Sequence, residues 1–385
     1  MAQRRPQSSG KRKKTKSSFW VKSGNYYDYA LLFVILFLVI FGLVMIYSTS
    51  SFTAESKTGT PFYYLQRQGI FAIIGILAML MISNMDYHKL KSLTLLAMYG
   101  TLFLLVFVLI AGTQVNGSTR WIKIGPIQFQ PSEIAKLAIT MYVAHQTTIK
   151  SARLRDWKVM AKILIPAIVA VGLIAFENLS TGIICAAVAV AVVFVASPSW
   201  KHFIVMFFGA AAFMGVFLLL ASYRMERIKV WWNPENYAES GGYQTMQALY
   251  AIGSGGLFGK GLGQSIQKLG FIPESHNDYI FSVVCEELGM FGAVCIIAVF
   301  VLLIWKCVMI AMNAVDMYGS LLVVGIVTHI AVQVLINIAV VTNFFPPTGV
   351  PLPFISYGGT SITLLLCEMG IVLSVARQIK VAQTY

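Results

Sequence analysis

Charge is scarce in this chain of 385 residues: 11% of them are charged against 57% hydrophobic, and acids are outnumbered 15 to 29 by Lys and Arg. Soluble domains carry roughly a quarter charged residues, so the composition excludes that class. It implies an all-α polytopic membrane protein with one helical membrane domain. The cysteines number five, an odd count, and all lie in or at the ends of apolar segments, which argues against a disulfide framework and for buried apolar thiols. A Gly-Lys-Ser/Thr phosphate loop, paired His/Cys metal spacing and an internal repeat are all missing, so nothing points to ATP hydrolysis or a tightly bound metal. Acid is also missing from the first 22 residues, which hold eight Lys or Arg among Ser, Gln, Gly and Pro. That pattern predicts a basic cytoplasmic tail over 1–28 held near anionic lipid, and it is no sign of nucleic acid.

What the chain has in abundance is apolar runs of membrane-spanning length. Ten are predicted, at about 29–48, 66–84, 93–112, 131–147, 160–176, 180–197, 203–222, 279–305, 318–342 and 360–377. The first is too long for a signal-peptide core and has no small-residue cleavage pattern, so it stays as a signal anchor. With the N-terminus inside, Lys and Arg concentrate in the cytoplasmic segments and the outer segments come out near neutral. Both termini are therefore expected in the cytoplasm, with 29–380 forming a single transmembrane domain. One large extracytoplasmic loop, 223–278, then joins helices 7 and 8. Its first part, Arg224 to Trp232, mixes cations with paired tryptophans like a segment lying on the outer leaflet, and a helical piece is expected over about 243–252.

The stretch from Gly253 to Gly289 breaks the apolar pattern. Glycines at 253, 255, 256, 259, 261, 263 and 270 forbid a regular helix and suit backbone turns and close approach to a ligand. Glu274, His276, Asp278, Glu286 and Glu287 follow, the last two inside a membrane helix, where ionisable groups are functional candidates. Elsewhere, Glu133 and Lys136 share a helix face as an ion pair or a ligand site. Arg120, Lys123 and Lys136, with Arg224 or Lys260, make an inventory of cations suited to a diphosphate. His329, Gln333 and Asn337 form a polar stripe expected to tie helices together. Glu368 must be protonated, paired or facing a wet cavity. The four-proline turn from Thr342 to Pro353 predicts a rigid non-helical re-entry. After it, Ser356, Tyr357 and Gly358 offer hydroxyls and backbone N–H groups as an anion or sugar site.

Three motifs resemble the SEDS family (shape, elongation, division and sporulation): Pro273-Glu274-Ser275-His276-Asn277-Asp278-Tyr279-Ile280-Phe281 with Glu286-Glu287-Leu288-Gly289, Gly349 to Ser361, and Pro131 to Lys136. The likeness runs from about Tyr29 to Ala376 and sides with the FtsW branch and its sporulation relative over RodA. It departs at Glu177-Asn178, where Pro-Asp is common in the family, and mildly at Asn277 and Tyr279. The resemblance implies a peptidoglycan glycosyltransferase of the bacterial cytoplasmic membrane, active at the division septum. It would polymerise lipid II on the outer face, extend a glycan strand and release polyprenyl diphosphate. Asp278 is then the expected base, Glu274 and His276 orient it, and Arg120 and Lys136 meet the diphosphate, with Glu133, Ser356, Tyr357 and Gly358 as further substrate contacts. A divalent cation, Mg or Mn, is compatible with that chemistry. The implied partners are a class B penicillin-binding protein transpeptidase and other division proteins. A lipid II flippase and a non-catalytic scaffold are the alternatives from other classes.

Overall fold

The computed structural model of the protein describes residues 27–115, 118–125, 127–209, 222–239 and 241–379. The basic tail through residue 26 and most of the seventh expected span, 210–221, lie outside the described residues. Twelve helices are followed among them. They are α1 (Tyr29–Thr58), α2 (Tyr63–Ser83), α3 (Leu90–Ala111), α4 (Pro131–Ile149), α5 (Trp157–Glu177), α6 (Leu179–Ala196), α7 (from 201, described to 209), α8 (Ser222–Trp232), α9 (Gly242–Ser254), α10 (Ile280–Asn313), α11 (Met317–Val341) and α12 (Gly359–Arg377).

Eight of these, α1, α2, α3 with its leading turn, α5, α6, α10, α11 and α12, are long and apolar enough to cross a membrane. The mostly helical, multi-pass membrane architecture read from composition is therefore the architecture found. The fourth expected span is α4, 19 residues long, which at about 1.5 Å per residue reaches roughly 28 Å. Its charges face inward, as the buried Lys136 shows. Local chemistry sets the helix starts. Asp28 accepts from the Leu31 N–H at 2.9 Å, Asn178 from Thr181 at 3.2 Å and Asp316 from Gly319 at 3.0 Å, satisfying otherwise orphaned first-turn donors. The expectation of an all-α chain missed one small feature. Strands Thr113–Val115 (β1), Ser118–Ile124 (β2) and Ile127–Phe129 (β3) form an antiparallel sheet in the order β1-β2-β3.

One contiguous apolar core runs through the helices, with α12 laid along α2, α11 between α10 and α6, and α4 against α3 and α6. Large exposed apolar side chains such as Ile73, Phe103, Ile168 and Phe291 cover the outside, as expected where lipid tails are the solvent. All five cysteines are free. The connections gather at two rims. At one, Tyr87 donates to Asp316 at 2.6 Å, Lys91 pairs with the same carboxylate at 3.4 Å, and Gln378 donates to Asp86 at 3.0 Å. At the other, Ser275 donates to the Thr49 carbonyl at 3.1 Å and Arg227 to that of Pro347 at 3.2 Å.

The positive-inside rule predicts that the first rim faces the cytoplasm and the second, called the outer rim below, the other side. Cysteines introduced at the exposed positions Asn236 and Gln264 should accordingly react with an impermeant maleimide added to intact cells. One at Ser151 should react only after permeabilisation, and external labelling at Ser151 would overturn the assignment.

Candidate active site

The glycine-rich stretch braces a break in α10. Helix α10 breaks at Gly289, whose φ of 69° and ψ of −171° lie where side-chain-bearing residues are rare. The 255–261 segment fills the break: Lys260 and Gly261 donate to the carbonyls of Glu286 and Glu287 at 2.9 and 3.0 Å, and Met290 and Phe291 donate back to Gly256 and Leu257 at 2.9 and 3.0 Å. A Cβ on Gly259 would lie 2.2 Å from the Glu287 carbonyl oxygen. At Gly255 and Gly259 the close approach is to the α10 backbone.

The carboxylates at the break are engaged as well. Glu286 pairs with Lys260 at 2.7 Å and accepts from Ser265 and from the backbone N–H groups of Ile266 and Gln267. Glu287 pairs with Lys268 at 2.8 Å and accepts from Ser48 of α1 at 2.7 Å. Lys260, counted above among diphosphate cations, is therefore part of the brace. The Arg224 side chain lies outside the described residues.

Above the brace, residues 270–279 turn across the outer rim toward α10. The N-cap of α10 is Tyr279 and no side chain caps there, so Asp278 is not engaged in capping. Its carboxyl lies against the proline-rich turn, where a Cβ on Gly349 would be 3.6 Å from Oδ2. Asn337 of α11 clamps this junction, with Nδ2 donating to the Asp278 carbonyl at 2.7 Å and to that of Val350 at 2.8 Å. Burial pushes the Asp278 carboxyl up to about 6; the negative charge of Glu274 adds to the rise, while its own N–H and the nearby Arg227 oppose it. Glu274 holds a φ of 50° and accepts from Asn277 at 2.8 Å, a strained conformation of the kind that clusters at working sites.

His276 does not reach Asp278 through any described contact. Its ring is 4.4 Å from that of Tyr64 and 5.5 Å from that of Tyr357, its Nδ1 has no hydrogen-bond partner, and burial with the Lys57 charge pushes it down to about 4. It is a neutral, packed ring at physiological pH. The turn at 356–358 differs from expectation too. Ser356 Oγ accepts from Leu352 N at 2.8 Å, Tyr357 N donates to the His276 carbonyl at 2.9 Å, and Gly358 N donates to Gln68 Oε1 at 3.1 Å. Two backbone N–H groups expected to face an anion or sugar are thus used in shaping the turn. Gln68, 0% exposed, was missed in the sequence, although a lone amide in an apolar span is a signal in itself.

A second polar group runs through the membrane interior. Ser361 donates to Glu133 at 2.6 Å, Glu133 pairs with Lys136 at 2.8 Å, and Lys136 donates to Gln333 at 3.2 Å. Gln333 also bonds His329 at 2.8 Å and donates to the Pro351 carbonyl at 2.9 Å, while the other His329 nitrogen meets Glu368 at 2.8 Å. The stripe on α11 thus ties helices together as expected, and Glu368 is paired. Lys136 is 2% exposed and faces these protein partners. Arg120, on β2, lines a separate cleft with Gln130, Ser132, Glu177 and Asn178, where Asn178 caps α6. Among the described residues no group of three or more His, Cys, Asp or Glu could hold a metal ion.

Over residues 29–381 the chain matches the Cell cycle protein family of FtsW, RodA and SpoVE. It belongs to that family. Stage V sporulation protein E of Bacillus subtilis (strain 168) is 40% identical over 91% of this chain and 97% of its own length. Probable peptidoglycan glycosyltransferase FtsW of Geobacter sp. (strain M18) is 35% identical over 92% and 98%. Among solved structures, a chain from a peptidoglycan synthase complex that coordinates polymerization and crosslinking superposes with a TM-score of 0.76 at 28% identity, covering 94% of this chain and 99% of the other. The rod shape determining protein RodA of Thermus thermophilus gives 0.67 at 28%, covering 92% and 98%.

In this family member the buried Glu133–Lys136 pair generates a stability prediction. Lys136→Ala leaves a carboxylate without its cation and should destabilise the protein by about 3–5 kcal/mol, whereas the double change Glu133→Gln, Lys136→Met should recover most of that loss. Thermal unfolding in detergent measures both; an unaltered melting temperature for Lys136→Ala would show that the pair does not support the fold.

Proposed function

We propose that the chain is a peptidoglycan glycosyltransferase that polymerises lipid II at the outer rim, with Asp278 as the general base. The observation that carries this reading is the placement of Asp278: partly exposed beside the proline-rich turn, not used as a cap, and shifted to about 6. A carboxylate of that basicity is largely ionised at neutral pH yet takes a proton more readily than an ordinary one. In the reaction the 4-hydroxyl oxygen of one sugar attacks C1 of another and its proton passes to Asp278. The C1–oxygen bond to the polyprenyl diphosphate breaks, and its electron pair leaves with the diphosphate. Curated relatives carrying the name peptidoglycan glycosyltransferase at 35% identity over nearly their whole length support the same activity.

The matching chain from a synthase complex supports a class B penicillin-binding protein as partner, and we place the pair in the cytoplasmic membrane at the division septum. A divalent cation, Mg or Mn, enters this scheme as a companion of the substrate's diphosphate, since Mg²⁺ is commonly held by phosphates with few protein ligands. The interior group from Glu133 to Glu368 is the feature that a lipid II flippase would also need, because charged residues in membrane helices mark transport pathways.

Asp278→Asn keeps the shape of the side chain and removes the base. The purified variant with its transpeptidase partner should bind labelled lipid II and give no glycan ladder on a gel, whereas the parent protein's rate should fall with pH as Asp278 is protonated through about 6. Ladders near the parent level from Asp278→Asn would remove Asp278 as the base, and lipid II translocation by that inactive variant would favour the flippase.

A further inference from the structure

A leaving diphosphate needs cations, and most of those expected to serve are committed elsewhere. Lys136 is buried against Glu133 and Gln333, Lys260 is held by Glu286, and Arg120 lies in the cleft beside Glu177 and Asn178. Arg227, by contrast, is an exposed residue of α8 placed at the same proline-rich turn as Asp278. Its Nη1 donates to the Pro347 carbonyl at 3.2 Å, two residues before Gly349, the residue against which the Asp278 carboxylate rests. That contact uses one of the five N–H donors of a guanidinium.

The placement is firm. One turn further along α8, Trp231 Nε1 donates to the Asn343 carbonyl at 3.0 Å and Asn343 Nδ2 donates back to the Trp231 carbonyl at 3.4 Å. The helix is therefore fastened to the proline-rich turn at both Arg227 and Trp231, which hold the guanidinium at a set height over the loop. The spacing of four that puts these two residues on one face is visible in the sequence.

We propose that Arg227 binds the diphosphate of the polyprenyl-linked sugar substrate beside Asp278, so that the base and the leaving-group cation flank one proline-rich turn. The assignment rests on the glycosyltransferase reading above. As the C1–oxygen bond breaks and its electron pair passes to the diphosphate, the planar fork of Arg227 meets the added charge with two N–H groups. The same charge acts on the base. Glu274 and Arg227 face Asp278 with opposite sign, Tyr279 lies beside it, and His276 is neutral above its own low range.

The test compares the parent, Arg227→Lys, Arg227→Gln and Asp278→Asn, each purified with the transpeptidase partner. Binding of a polyprenyl diphosphate, with the monophosphate as control, should weaken about tenfold to a hundredfold in Arg227→Gln and recover in part in Arg227→Lys, as expected for a charge-assisted contact. The monophosphate should be affected less. In steady-state polymerisation the acidic limb of the pH–rate profile should move to higher pH in Arg227→Gln, because the cation that favours the Asp278 carboxylate is gone. If Arg227 only anchors α8, Lys and Gln should lower thermal stability alike and leave diphosphate binding and the acidic limb in place, and that result would overturn the proposal. Polymerisation by Asp278→Asn would instead remove the base while the binding arm still decides the role of Arg227.

Discussion

Two consecutive carboxylates buried in a membrane helix impose the constraint on which the outer half of this protein is built. Glu286 and Glu287 are both 0% exposed, and a charge in such surroundings is tolerated only when paired and fully hydrogen-bonded. Lys260 and Lys268 supply the cations, and both come from the loop that precedes the helix. Bringing them in requires that loop to fold back into the break at Gly289, and its glycines let it pass within bonding distance of the helix backbone. The residues from 270 to 279 are thereby delivered to the outer rim in a fixed position. The placement of Asp278 is a downstream result of satisfying its two acidic neighbours.

The spans were legible in the sequence because lipid admits few solutions: a backbone crossing hydrocarbon must bond to itself, so length and hydropathy nearly suffice. The helix over Gly242–Ser254 and the non-helical proline-rich turn were also foreseen in place. The strands around Arg120 carried no such signal, being seven residues or shorter and free of long apolar alternation. The glycine run was legible as close approach, but local spacing cannot tell whether the approaching partner is a ligand or a distant stretch of the same backbone.

The same limit applies to polar residues. Lys136 and the 356–358 turn have the composition of a binding site, and contacts that engage them come from α11 and α2, far away in sequence. Asn337 shows the converse. As one member of a stripe it reads as glue between helices, and it is glue, but what it joins is the Asp278 carbonyl and the proline-rich turn. Its position next to the candidate base is a property of the tertiary fold alone.

Gln68 ties an early helix to a late turn of the chain. Its amide is completed by Ser356 and Gly358 of the turn that leads into α12, the latter 290 residues later, and α12 is the helix that lies most fully along α2. Without that turn the Gln68 amide would lose both of these partners. Satisfying the buried amide of α2 and covering its inward face are therefore done by one segment, the turn at 356–358 and the helix α12 that follows it.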